Sequence, residues 1–248
     1  MKQRTCWISL VAWVGLGSLV SAESDDNGSV WLNYFGDHRV AETPLSLHLD
    51  VQVRRAEFGR VWQQFLVQPG IVYDLNEEVK VAGGYGFMET HSYGDHPLPF
   101  DLPEHRIWEQ VSFSSPWLGV DWQHRFRLEQ RFLGTPDGTP AGLLAEAYDY
   151  RFENRFRYRL QTVFPLKSFG DFGYYLRVYN EIFLNFGGDV ARNHFDQNRA
   201  YVGIGRPIQE HFRCELGFME QSLQQRNGKI WEHNHTLMFS IISGLPIR

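Results

Sequence analysis

Cysteine is nearly missing from this chain: of 248 residues two are cysteine, Cys6 and Cys214. Cys6 falls inside an N-terminal segment that reads as removable, so one thiol remains and an intramolecular disulfide is excluded. Past residue 22 there is no apolar run of roughly 18 residues, the length a membrane-crossing helix needs. Blocks of like charge, low-complexity tracts and linker-like stretches are missing too, which argues for a single domain. Basic excess is also lacking. The 24 Lys and Arg stand against 29 Asp and Glu, a net charge of −5, which excludes a nucleic-acid surface built on positive charge.

What the N-terminus does contain is a targeting signal. Lys2 and Arg4 precede an apolar run from Trp7 to Val20, and "VSAES" places Val20 and Ala22 at the small-residue positions of a cleavage site. The run contains Gly15, Gly17 and Ser18 and is short for a spanning helix. Residues 1–22 are expected to be a signal peptide and residues 23–248 the exported domain. Without Lys2 and Arg4, 22 basic residues face 29 acidic ones, a net charge of −7. An exported chain with one cysteine must be held together by something other than disulfides.

Two stretches indicate what that is. In "HRFRLEQRF", 124–132, Arg125, Arg127, Glu129 and Arg131 alternate with Phe126, Leu128, Gln130 and Phe132. In "YRFENRFRYRL", 150–160, Arg151, Glu153, Arg155, Arg157 and Arg159 alternate with Tyr150, Phe152, Asn154, Phe156, Tyr158 and Leu160. Period two is the signature of a strand with unlike faces. The pattern runs over 120–132 and 148–162, longer than the roughly 9–11 residues a strand needs to cross a bilayer. Other strand-like segments are 30–37, 45–53, 61–74, 78–88, 104–114, 170–186, 196–206, 211–224 and 230–243, rich in Val, Ile, Tyr, Phe and Trp. Connections alternate between short ones, near Asn76–Glu77, Ser114–Pro116, Pro165–Asp171 and Arg206–Glu210, and long ones at 90–104, 133–147 and 187–196.

In lipid, backbone polar groups are satisfied by helices or by closed barrels. With no helix available, the expectation is an all-β fold: a single antiparallel transmembrane β-barrel of about 10–12 strands in the outer membrane. Its lumen would be polar and charged and its outer face apolar. Eleven candidate strands would close with a parallel pair, so either 30–37 stays outside the ring, giving ten, the favoured count, or one further strand gives twelve. Phe126, Leu128, Phe132, Phe152, Phe156, Tyr158 and Leu160 are expected to face lipid. His124, Gln130, Asn154 and Asn180 fall on the same face as exceptions. The inward set is Asp121, Arg125, Arg127, Glu129 and Arg131 on one strand and Asp149, Arg151, Glu153, Arg155, Arg157 and Arg159 on the next. Glu181 and Glu215, on later strands, are expected to neutralise part of this arginine excess.

Several stretches resemble a known family. They are "RFRLEQRF" at 125–132, "RFRYRL" at 155–160, "YNEIFLNF" at 179–186, "FDQNRAYVGIG" at 195–205 and "ELGFMEQ" at 215–221, with "VWLNYFGDHRV", "QPGIVYDLNEEVKVAGGYGF" and "RIWEQV" before them. In this order they are similar to DUF2490, a family of outer-membrane β-barrels without an assigned role. The resemblance covers most of the exported chain. It implies the barrel fold and adds weight to Arg125, Arg127, Glu129, Arg131, Arg157, Glu181, Arg199, Glu215 and Gln221.

Other motifs carry less. The loop at 89–105 holds His91, His96 and His105 with Glu89, Asp95, Asp101 and Glu104, without the spacing of a metal motif. "EHNH" at 232–235 puts His233 and His235 on one strand face, two ligands short of a site. Ser46, His48 and Asp50 share a face, but strand neighbours at i and i+2 lie about 7 Å apart, too far for a triad. "GGYGF" at 83–87 reads as a strand of little bulk rather than a phosphate loop. No cofactor, metal or catalytic residue is assigned. The expected partners are outer-membrane lipid and small polar or anionic solutes, not nucleic acid, and the expected state is a monomer. The function class is a narrow or sealed barrel, structural or a small-solute channel leaning to anions. The alternative is an outer-membrane lipid-acting hydrolase with its site assembled from several strands.

Overall fold

The computed structural model describes residues 23–95, 97–98, 100–136, 148–166 and 173–247. The expected signal peptide, 1–22, lies outside them. Eleven strands follow one another: β1 (Glu23–Arg39), β2 (Leu45–Ala56), β3 (Val61–Asp74), β4 (Val79–Thr90), β5 (Leu102–Trp117), β6 (Val120–Pro136), β7 (Tyr148–Pro165), β8 (Tyr175–Phe186), β9 (Phe195–Gln209), β10 (Phe212–Gln224) and β11 (Ile230–Ser243). One 3-10 turn, Glu57–Gly59, is the helical element among the described residues.

Each strand pairs antiparallel with its neighbour in sequence, and β1 closes the ring against β11 in parallel. This corrects two expectations. The count is eleven, not ten, and the barrel is mostly rather than wholly antiparallel. The segment 30–37 belongs to the 17-residue β1, which matches β11 over fourteen register pairs, Glu23↔Ile230 to Gly36↔Ser243. Its first half, "SDDNGS", has a turn-like composition. It holds an extended course because Asp25, Asn27 and Ser29 alternate inward and are buried. Closure leaves no exposed strand edge.

The connections sort by rim. Chain segments 40–44, 75–78, 118–119 and 210–211 lie at one end, here the short-turn rim, where β7 also ends and β8 begins; the connection expected to be short near Pro165–Asp171 spans nine residues, 166–174, of which 167–172 lie outside the described residues. Segments 57–60, 187–194 and 225–229 and the described part of 91–101 join strands at the opposite, long-loop rim, where β6 also ends and β7 begins. Two of the three long connections expected from sequence, 90–104 and 187–196, therefore share one rim; the third, 133–147, lies mostly outside the described residues. The tight turn near Ser114–Pro116 sits slightly later, at Leu118–Gly119, because the serines continue the ladder opposite Gln123 and Trp122.

Large aromatic rings occupy the inner wall where glycines leave room. Gly70 and Gly84 pair across β3 and β4, and the Trp108 indole lies against both, with Nε1 donating to the Tyr85 carbonyl at 3.2 Å. This is the use of "GGYGF": a wall thinned for an indole. Tyr201 likewise lies over Gly203 and Gly217. With Trp31, Met219 and Met238 it forms a small buried apolar cluster, against which Tyr179 packs.

Candidate functional site: a charged barrel interior

Ladder register brings the alternating arginines and carboxylates into rows. One row reads Arg125, Arg159, Glu181, Arg199 and Gln221 across β6 to β10. The next pairs Arg127 with Arg157, and another pairs Glu129 with Arg155. On opposite-sense neighbours like these, side chains on one face are close enough to bond directly.

Glu129 and Glu181 are the centres. Both are completely shielded from solvent. Glu129 accepts from Arg155 at 2.6 Å and from Arg157 at 2.6 Å. Glu181 holds Arg125 at 2.6 Å, Arg157 at 2.8 Å and Arg159 at 2.8 Å. Toward the long-loop rim, Arg131 grips both oxygens of Glu104 at 2.6 and 2.9 Å, and Arg106 bonds the same carboxylate. Glu153 takes Arg151 at 2.9 Å and lies 3.7 Å from Arg131. Arg155 also reaches Asp196 at 3.0 Å. Charge-assisted, partly bidentate bonds of this kind are the strong class, and a buried charge without them would be costly.

Four of the residues singled out from sequence stand apart from these ion pairs. Arg127 donates to Gln110 at 2.7 Å and to Gln68 at 3.2 Å, and stacks over Trp108 with its guanidinium carbon 4.4 Å from the ring centre. Arg199 donates through Nε to Gln197 at 3.0 Å and stands over Trp31 and Phe183. Gln221 donates to Gln197 and accepts from Asn234 at 3.2 Å. Glu215 accepts from the Tyr201 hydroxyl at 2.6 Å and faces Arg177 at 3.0 Å, so it does not neutralise the β6 and β7 arginines. Glu181 does. Asp121 and Asp149 are exposed near strand ends and contribute nothing to the lattice.

Sequence reasoning missed Glu104, Arg106, Arg54 and Asp196. The first two alternate inward with Trp108 and Gln110 in "EHRIWEQ", so period two marks them. Arg54 follows Asp50 and Gln52 on the same face and donates to Gln52 at 2.6 Å. Asp196 carries an even number on a strand whose inward positions are odd. A register shift between Phe183 and Leu184 turns it inward, and alternation alone cannot reveal a bulge.

The remaining candidates separate. His91 bonds Asp101 at 2.7 Å in the 91–101 loop, while His105 lies on the outer face of β5 against Tyr85 and Tyr150. His96 is outside the described residues. No group of three or more His, Cys, Asp or Glu able to hold a metal occurs among the described residues. His233 and His235 face outward toward Glu220, at 3.8 and 2.6 Å. His48 bonds Asp37 at 2.6 Å rather than Asp50 or Ser46, so that trio forms no triad.

Inside the ring lies a cavity of about 340 Å³. It reaches the short-turn rim, where Asp37 and Arg213 line it and are exposed. At the other end Asp25, Glu104, Glu153 and Asp196 are buried. There Tyr93 and Asp95 of the β4–β5 connection reach across the mouth: Tyr93 donates to Glu232 at 3.2 Å, and the Asp95 amide donates to Asp25 at 3.0 Å. Burial and the neighbouring Glu232 carboxylate push the Tyr93 phenol well above its ordinary pKa. Among the described residues the interior is thus a cup whose cavity reaches the short-turn rim.

The outer face is the inverse. Each strand exposes at least one large apolar side chain, among them Leu32, Leu47, Ile71, Ile107, Phe152, Ile204, Leu216 and Phe239. Phe126 stacks with Phe113 and packs at a tilt against Phe156 and Tyr158. Two of the four polar exceptions, His124 and Asn180, are satisfied locally. His124 bonds Tyr158 at 2.9 Å. Asn180 and Asn198 exchange reciprocal amide bonds of 3.0 Å. Asn154 pairs with Phe186, the last residue of β8, and Gln130 pairs with Asn154, both toward the long-loop rim. Glu109, exposed opposite Leu128 and Gly83, has no such account.

A family model described as "Protein of unknown function (DUF2490)" matches residues 28–233. An uncharacterized protein of Methylorubrum extorquens is 26% identical over 232 residues, an alignment covering 92% of each chain. No solved structure matches the chain.

Proposed function

The chain belongs to the DUF2490 family, and from that premise and its interior geometry we propose that it is an outer-membrane β-barrel, closed at its long-loop rim, whose buried ion lattice is structural. The observation that carries this reading is the inversion of faces: fully buried Glu129 and Glu181 inside, exposed apolar side chains on every strand outside. A soluble barrel holding an apolar ligand needs the opposite arrangement. Arginine on a lipid-facing mid-bilayer position costs on the order of 2–4 kcal/mol, so a chain with this many strand arginines must turn them inward to reside in a membrane. The expected signal peptide and the rim asymmetry of the connections fit export to the outer membrane, with the short turns on the periplasmic side.

Lipid is the proposed partner and a monomer the proposed state. Eleven strands make a narrow ring, since eight are already filled by side chains, and the guanidinium lattice narrows it further. Through-conduction is therefore negligible in the unmodified protein. Any leak favours anions, because the arginine surplus lies on the cavity side. The test is outer-membrane fractionation with heat-modifiable migration, followed by planar-bilayer recording of the purified protein. Folded protein in the soluble periplasmic fraction, or robust cation-selective current, would contradict the proposal.

A further inference from the structure

The lattice leaves unused cationic donors aimed into the cavity. Eleven arginines line it against four carboxylates, Asp37, Asp50, Asp196 and Glu215. The carboxylates behind the lining, Glu104, Glu129, Glu153 and Glu181, are already shared among neighbouring guanidiniums. Positive charge is left over on the inner surface, concentrated on the wall formed by β6 to β10.

Arg199 is the clearest case. It is 9% exposed, and its Nε bonds Gln197. Among the described residues its two terminal nitrogens make no hydrogen bond and no ion pair, and they are not among the atoms sealed from solvent. Arg125 and Arg159 stand in the same ladder row, on the other side of Glu181. Both spend bonds on that single carboxylate, and each keeps a terminal nitrogen without a partner among the described residues. One carboxylate thus sits among Arg125, Arg157, Arg159 and Arg199. At the mouth, Arg213 is exposed and also lines the cavity.

We propose that this cavity binds a small, multiply charged oxyanion, entering from the short-turn rim and completing the row at Arg125, Arg159 and Arg199. Guanidinium forks match oxyanions in pairs of parallel N–H bonds, which a spherical halide cannot use. The volume falls at the low end of ordinary small-ligand sites, about 300–1,000 Å³. A lipid headgroup does not fit, because its acyl chains would have to lie among guanidiniums and the amides of Gln52, Gln63 and Gln68. The inference rests on the closed interior described above and not on membrane location.

Isothermal titration of the folded full-length barrel in nonionic detergent tests it, with inorganic phosphate as probe and sodium chloride at matched ionic strength as reference. The expected result is saturable one-to-one phosphate binding, competed by sulfate and absent with chloride. Arg199→Gln, which breaks no ion pair, weakens binding at least tenfold while heat-modifiable migration is retained. Should that variant not fold, Arg159→Lys keeps the charge, loses the fork, and weakens binding several-fold. No saturable phosphate binding in the unmodified protein, or an unchanged affinity in the folded variant, overturns the proposal. Because the readout is taken in micelles, its failure leaves the outer-membrane reading standing, and a soluble periplasmic protein would leave the binding result standing.

Discussion

Glu181 holds three arginines with no access to water, and its removal is the harshest single change the interior offers. Glu181→Gln leaves three guanidiniums sharing a neutral amide, and breaking a buried pair costs about 3–5 kcal/mol. We expect a loss of that order in urea unfolding of the detergent-folded protein. Arg127→Met is expected to cost clearly less, because Arg127 has Gln amides and an indole as neighbours rather than a carboxylate. The contrast also marks what sequence can show at this scale. Parity placed Arg125 to Arg131 and Arg151 to Arg159 on one face, and that face is the interior. Partners were not legible, because who bonds whom depends on the register with the next strand. Arg127 and Arg157 look alike in sequence, yet one meets glutamines and the other two carboxylates. On the outer face, Glu109→Leu should raise stability in bilayers by up to about 2 kcal/mol if that face meets lipid, and leave it unchanged if the face meets water.

At the scale of elements, the β5–β6 hairpin carries its own strain. Leu118 and Gly119 both have positive φ, 53° and 76°, as a two-residue type I′ turn requires. Leucine in the left-handed region costs roughly 1–2 kcal/mol, and its side chain is 80% exposed with no packing to offset that. Leu118→Asn should therefore raise the unfolding midpoint, by about 1 kcal/mol equivalent. Tyr93 of the β4–β5 connection crosses the opposite rim, and its pKa is raised by burial and by Glu232. A raised folded pKa means the clasp is intact at and below the ordinary tyrosine value near 10 and is lost as pH rises above it. In a spectrophotometric titration, the difference between the native protein and Tyr93→Phe should therefore show no phenolate until pH exceeds about 10. The strands that sequence read least well are those whose composition hides their course. β1 begins with "SDDNGS", residues typical of turns, and extends because β11 offers a full parallel ladder and the interior takes Asp25, Asn27 and Ser29. Nothing local encodes that partner, which lies about 200 positions away along the chain.

For the whole molecule, the odd strand number has a consequence for the ends. β1 starts at the long-loop rim and β11 finishes at the short-turn rim, so the two ends of the ring lie at opposite mouths. The closed all-β ring was legible because period-two alternation recurs without a helix signal. The parallel seam was not, since pairing between first and last strands leaves no trace in alternation. Cover over the long-loop rim was likewise beyond the sequence, because it depends on Tyr93 and Asp95 crossing from the β4–β5 connection to β11 and β1. The account as a whole depends on which solvent touches the outer face. The direct measurement places a fluorophore on a cysteine introduced at Phe156 or Ile204, with the native Cys214 replaced, and reconstitutes the barrel in vesicles. The account predicts strong quenching by brominated acyl chains and almost none by aqueous iodide at both positions. Efficient iodide quenching with no effect of brominated lipid would contradict it.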